Sequence, residues 1–295
     1  MMKSVSGKNM PAVCRLFVEK SKPRRGSFQA RILTEYLGYS KSIPWFGGRN
    51  SAVNTEQQES SYRIAPIADH ALYIDFGEVI DPAINQRVTA LAKRVADAGI
   101  PGVTGLIPTY RALTVAYDCT RIRQARLRDR LERLLAEPDA AADPVRSWEV
   151  PVAYGSEHGI DLLWLADHHQ LDPQDVIRLH CAVSYRVYMI GFMPGFAYLG
   201  GLDERLHTSR RESPRLKTPA GTVSIGGMQT AVASVEAPSG WNLIGRTPAR
   251  SFEPAREQPF LFQAGDEIRF VPIDADEFDA LSAQADYLPQ WTWRT

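Results

Sequence analysis

From residue 183 to residue 272 the chain is cut by glycine and proline into short runs with strand-forming composition. No other feature restricts the fold as much. The runs are Val183 to Gly191, Thr222 to Ile225, Thr230 to Val235, Trp241 to Arg246, Phe260 to Phe262 and Glu267 to Pro272. Many short strands with almost no helix between them read as a closed or nearly closed β-barrel, the arrangement that leaves no unpaired edge. Two short helical stretches lead into this region. One spans Asp161 to His169; the other opens at Asp172-Pro173, an N-cap followed by proline, and ends near Cys181.

The preceding part has a different rhythm. Tyr62 to Pro66 and Ala71 to Phe76 read as strands, and Asp81-Pro82 opens a helix whose Ile84, Val88, Leu91, Ala92 and Val95 recur at helical spacing. Strands at Val103 to Pro108 and Ala112 to Tyr117 are joined by the turn Thr109-Tyr110-Arg111. An amphipathic helix around Leu127, Leu131 and Leu134 follows, and after the linker Glu137 to Pro144 a strand runs from Trp148 to Tyr154. Strand-helix-strand-strand-helix-strand is the order of a ferredoxin-like α+β sandwich. The expected organisation is an extension over 1–60 too polar to order itself, a small α+β domain over 61–150, an all-β barrel over 151–273 and a C-terminal tail over 274–295. The acidic, then aromatic tail has no expected placement.

Totals narrow the function. Lys plus Arg equals Asp plus Glu at 34 each, so net charge does not point to nucleic acid or an anionic membrane as a partner. No apolar run approaches the roughly 18 residues of a membrane span. The three cysteines, Cys14, Cys119 and Cys181, form no CxxC pair, which fits a reducing compartment and gives no cysteine metal site. The basic bias of Lys20, Lys22, Arg24 and Arg25 also permits a transit peptide, but without amphipathic order the cytoplasm is the expected location.

Three glycine-rich stretches are the candidate chemistry. Gly191 to Gly201 carries four glycines and three aromatics, including Phe192, Pro194, Gly195, Phe196 and Tyr198. Pro219 to Thr230 carries Gly221, Gly226, Gly227 and Gln229, and Pro238 to Thr247 carries Trp241. Glycine lets backbone approach a ligand and aromatics wall it in, so the stretches either converge on one substrate pocket or serve only as barrel corners. None is a Walker loop or a dinucleotide fingerprint. Arg210-Arg211, with Arg215 and Lys217 behind, offers guanidinium forks for carboxylate or phosphate, the alternative being a solvated basic loop. Gln229 either reads an amide edge or is a plain strand residue. Among histidines, His180 is the better general-base candidate, and adjacent His168 and His169 read as surface. Ser184 and Ser224 lack a Gly-x-Ser-x-Gly elbow.

These residues resemble the KipI family, also called allophanate hydrolase subunit 1 or the 5-oxoprolinase B-subunit family. The similarity runs through Pro151-Val152, Tyr154-Gly155, Asp161-Leu162, His180, Gly191-Phe192, Pro194-Gly195-Phe196, Tyr198-Leu199-Gly200 and Arg210-Arg211. It continues through Pro219-Ala220-Gly221, Ile225-Gly226-Gly227, Gln229-Thr230, Gly240-Trp241, Leu243-Ile244-Gly245 and Gly265-Asp266. The resemblance implies a small α+β domain followed by a cyclophilin-like barrel. It implies a subunit that acts with a related cyclophilin-like second subunit and a third catalytic subunit to open a small amide with ATP; whether this chain itself binds ATP is left open. It also admits a urea-carboxylase or allophanate-type subunit, or a regulatory protein inhibiting a histidine kinase. On the enzyme reading His180, Arg210 and Arg211 are catalytic, and Phe192, Pro194, Gly195, Phe196, Tyr198, Gly221, Gly226, Gly227, Gln229 and Trp241 bind substrate, with no metal.

Two departures from the family pattern stand out. Ser209 occupies a position usually held by proline, which predicts a looser arginine loop. Ala231-Val232-Ala233-Ser234 replaces a glycine- and aromatic-bearing segment and so changes one wall of the expected pocket.

Overall fold

The computed structural model describes residues 62–137 and 144–294, so the expected extension over 1–60 and most of the linker after Glu137 lie outside the described residues. The first layer is a four-stranded antiparallel sheet carrying two helices. Its strands are β1 (Arg63–Ile67), β2 (Ala71–Asp75), β3 (Val103–Pro108) and β4 (Ala112–Tyr117), in the order β1-β2-β4-β3. Helix α1 (Pro82–Asp97) begins as its sequence requires: the Asp81 carboxylate accepts from the Ala83 and Ile84 amides, and Pro82 fills a first-turn position that needs no donor. Val88, Leu91 and Val95 on its inner face pack with Leu127 and Leu131 of α2 (Gln124–Ala136) against Leu72, Ile74, Leu113 and Val115 of the sheet.

The strand expected to complete this layer belongs elsewhere. β5 (Val145–Tyr154) pairs in parallel with β13 (Glu267–Ile273), in a register that sets Val150 opposite Phe270. The place beside β2 is taken by β1, a hairpin neighbour three residues upstream. The strand-helix-strand-strand-helix-strand series is therefore not completed as the sequence order implied.

A closed barrel follows. Its remaining strands are β6 (Tyr185–Ile190), β7 (Ala197–Gly200), β9 (Thr222–Gly226), β10 (Gln229–Val232) and β12 (Asn242–Arg246), preceded by α3 (Leu162–His168) and α4 (Pro173–Cys181). The ring runs β5-β12-β9-β10-β7-β6-β13 and back to β5, seven strands, antiparallel except for the β13–β5 pair. A small ribbon of β8 (Arg215–Thr218) and β11 (Ala237–Ser239) stands apart from it. Val150, Val152, Tyr185, Leu199, Val223, Ile225, Val232, Ile244, Ile268 and Phe270 fill the interior.

The C-terminal residues acquire a place. Asp274 caps α5 (Ala275–Ser282) by accepting from the Glu277 amide. β14 (Gln290–Arg294) then pairs with residues 145–149 of β5, along the stretch of edge that β12, bonded only at 153–154, leaves open. Phe260 forms only an isolated bridge to Phe252 rather than the expected strand. Among the described residues no helix is long and apolar enough to cross a membrane.

Candidate functional site

β9 separates the expected pocket residues into two groups. Gly221 precedes the strand, Gly226 ends it and Gly227 follows it, six residues on from Gly221, which at extended spacing is roughly 20 Å. β12 is divided in the same way, with Trp241 before it and Thr247 after it. The glycine-rich stretches therefore converge only in part: Gly221 lies at the end opposite the other expected substrate residues.

At the first end the aromatics assemble. A Cβ on Gly226 would stand 2.5 Å from Trp241 Cδ2, so glycine is what lets the indole lie on the strand end. Trp241 meets Phe196 and Tyr198 edge-on, at 6.3 and 5.9 Å between centroids, and Phe196 and Tyr198 are 4.7 Å apart. Ala231 and Ala233 floor this cluster, and Met193 packs on its edge. These alanines stand in the segment that departs from the family pattern. Phe192 leans edge-on against Phe196 with φ of 68°, a left-handed conformation that costs a non-glycine residue energy, and remains 42% exposed. Pro194 and Gly195 make the turn between them; Gly195 has φ of 76°, and a Cβ there would be 2.7 Å from Phe252 Cβ.

The first layer also contributes to this end. Tyr110, at the tip of the β3–β4 hairpin, donates its hydroxyl to Gln229 Oε1 at 2.8 Å and packs against Tyr188 and Tyr198. Burial pushes the Tyr110 phenol well above its usual range, so it remains a proton donor. Buried Asn85 of α1 donates to the Tyr188 carbonyl at 3.0 Å and accepts from Arg186 Nε at 2.9 Å, which fixes the hairpin's approach. The residue pattern marks Tyr110 only as a turn residue; an aromatic at a hairpin tip carries no period that reveals its partner.

The two arginines have different surroundings. Arg211 Nη1 donates to Asp161 Oδ1 at 3.3 Å, and Arg215 Nη2 donates to the same oxygen at 2.6 Å. Asp161 Oδ2 accepts the Leu243 amide at 2.7 Å, so this nearly buried carboxylate ties the start of α3 to β12 and to the arginine loop. Arg210 is exposed and has no hydrogen-bond or ion-pair partner among the described residues. Its charge lies close enough to Tyr198 to oppose the rise in that phenol's pKa caused by burial. The loop is not loose despite Ser209. Thr208 and Gly227 exchange backbone hydrogen bonds at 3.1 and 2.7 Å, Asn242 Nδ2 donates to the Ser209 carbonyl, and the Arg211 amide donates to Gly240.

His180 lies inside the barrel, stacked on Phe270 at 4.7 Å and with no exposed surface. Its Nδ1 is 2.8 Å from the Tyr154 hydroxyl and its Nε2 2.9 Å from Thr230 Oγ1. Burial lowers its pKa to about 3, which holds it neutral. A general base needs a face open to substrate, and His180 has none here; it reaches the shelf only through Thr230, the neighbour of Gln229.

A closed mixed barrel with an aromatic cluster at one end, one uncommitted arginine beside it and a tyrosine supplied by a separate sheet defines a two-layer barrel protein. Residues 62–262 match the family model described as carboxyltransferase domain, subdomain C and D, and the chain belongs to that family. It is 38% identical over 235 residues to the 5-oxoprolinase B subunit of Bacillus subtilis, covering 76% of this chain and 98% of that protein. It is 41% identical over 206 residues to the 5-oxoprolinase B subunit of Escherichia coli O157:H7, covering 70% and 94%. Among solved structures, TTHA0988 superposes with a TM-score of 0.64 at 35% identity over 70% of this chain; the chain spans 40% of TTHA0988's length.

Proposed function

We propose that this chain is one subunit of a 5-oxoprolinase-type hydrolase that opens a small cyclic amide with ATP, and that the shelf holds the amide. In this reading the chain works in the cytoplasm with a related barrel subunit and a third catalytic subunit, and ATP is used by the complex. The three glycine-rich stretches of this chain lead into strands rather than into an α-helix N-terminus, unlike a nucleotide phosphate loop.

The observation that carries the reading is Arg210, uncommitted beside the Phe196–Tyr198–Trp241 wall. Amide opening places negative charge on the carbonyl oxygen. A cation that closes on the ligand beside an apolar wall stabilises that charge better than solvent does. Gln229, its carbonyl occupied by Tyr110, presents its amide N–H groups as donors to the same ligand. Arg211 and His180 act by position: the first holds the loop through Asp161, and the second holds Thr230 and so the start of β10.

The test is ATP-dependent conversion of 5-oxoproline to glutamate by the purified chain with its co-purifying subunits. Arg210→Ala should lower kcat at least tenfold, the order expected on losing one stabilising cation, with an unchanged melting temperature. Undiminished turnover in that variant would refute the assignment of the shelf.

A further inference from the structure

The opposite end of β9 and β12 carries a second concavity, a cleft of about 200 Å³ between the barrel end and α5. Gly221, Ser234, Arg246, Thr247 and Arg250 line it, and Phe278 of α5 closes one side. Three observations give this cleft one kind of chemistry.

First, the Ser234 hydroxyl is buried and has no hydrogen-bond partner, although the residue forms part of the wall. A buried hydroxyl without a partner is costly and rare, and a ligand that supplies the missing atom accounts for it. Second, the Arg246 guanidinium is held flat: Nε donates to the Ala220 carbonyl at 2.9 Å, and the group lies over the Phe278 ring at 5.5 Å. Its two Nη groups have no acceptor among the described residues, so the terminal fork remains uncommitted. Third, no carboxylate lines the cleft, while a second cation does. Arg250 donates Nη1 to the Ala285 carbonyl at 3.2 Å and has Glu253 at 3.8 Å, outside the lining. Thr247 Oγ1 accepts from the Ala249 amide and keeps its own proton to donate.

We infer that the cleft binds a small oxyanion, a phosphate or carboxylate group, on Arg246, Ser234 and Thr247. Guanidinium forks suit both groups, and hydroxyl donors complete the shell. The site lies at the far end of the barrel from Arg210 and does not depend on the function proposed for the shelf. Gly221 contributes by absence: with φ of 78° and a would-be Cβ 2.3 Å from the Thr247 carbonyl oxygen, only glycine lets residues 219–221 close against the end of β12 and shape the floor.

The experiment is calorimetric titration of the full chain with inorganic phosphate and, separately, with acetate, at constant ionic strength set by chloride. Saturable one-to-one binding of either anion is expected, and the tighter of the two identifies the source of the group. Arg246→Gln should weaken binding at least tenfold. Because Arg246 also braces Ala220, Ser234→Ala is the safer variant: it removes a hydroxyl with no protein partner, should fold normally and should weaken binding several-fold. Absence of saturable binding by both anions, or wild-type affinity in Ser234→Ala and Arg246→Gln alike, overturns the site. So does loss of binding in Arg210→Ala with both cleft variants unaffected, which would place the anion on the shelf.

Discussion

Replacing Asp161 with alanine tests the largest structural claim about the arginine loop. The carboxylate accepts from Arg211, Arg215 and the Leu243 amide and is itself 4% exposed. Breaking a buried ion pair by removing one partner costs about 3–5 kcal/mol, because the remaining charge loses its compensation. Here the Arg215 and Arg211 side chains are 22% and 35% exposed, so water recovers part of the loss and the lower end, about 3 kcal/mol, is expected. The Leu243 amide, left inside without an acceptor, keeps the figure from falling further. For a folded unit of this size that is a drop in melting temperature of roughly 6–12 °C. Asp161→Asn, which retains an acceptor for Leu243 but removes the charge, should fall between. Urea unfolding followed by circular dichroism measures both. A loss under about 1 kcal/mol in the alanine variant would mean that the loop is held by its backbone bonds alone, and the role given to Arg211 would fall with it.

Two further outcomes follow from the same geometry. His180 has a folded pKa near 3 against an unfolded value near 6.5, so below pH 6.5 the unfolded chain binds the extra proton. Its contribution is complete above that pH and is lost towards pH 3 with a slope approaching about 1.4 kcal/mol per unit; pH-dependent urea unfolding should show this part of the slope vanish in His180→Gln, and an identical profile would contradict the buried neutral state. Gly226→Ala forces a methyl to within 2.5 Å of the Trp241 indole, which sits 8% exposed against Phe196 and Tyr198. A destabilisation of about 1–3 kcal/mol with a shifted tryptophan emission is expected, and an unperturbed spectrum would show that the indole does not rest on that strand.

Local chemistry was legible in the sequence because it is enforced locally. The bounds of β3 and β4 agree with their alternation and flanking turn residues, and α1 and α4 begin at Asp-Pro pairs because cap and ring geometry act within one turn. The many short glycine-bounded runs likewise pointed to a barrel in the second half, since closing the sheet pairs short strands without leaving edges. Tertiary structure alone decided where β5 goes. Its partner β13 lies about 120 residues away, and Val150 and Val152 read the same in either sheet until the Phe270 register is known. The same holds for the candidate site. Glycine, aromatic and arginine positions were visible, but the direction of β9 sent Gly221 to one end and Gly226-Gly227 to the other. Asp161, far away in sequence, took Arg211 and left Arg210 uncommitted, and the barrel closed over His180. Composition names which groups are present, while long-range strand pairing determines which of them meet.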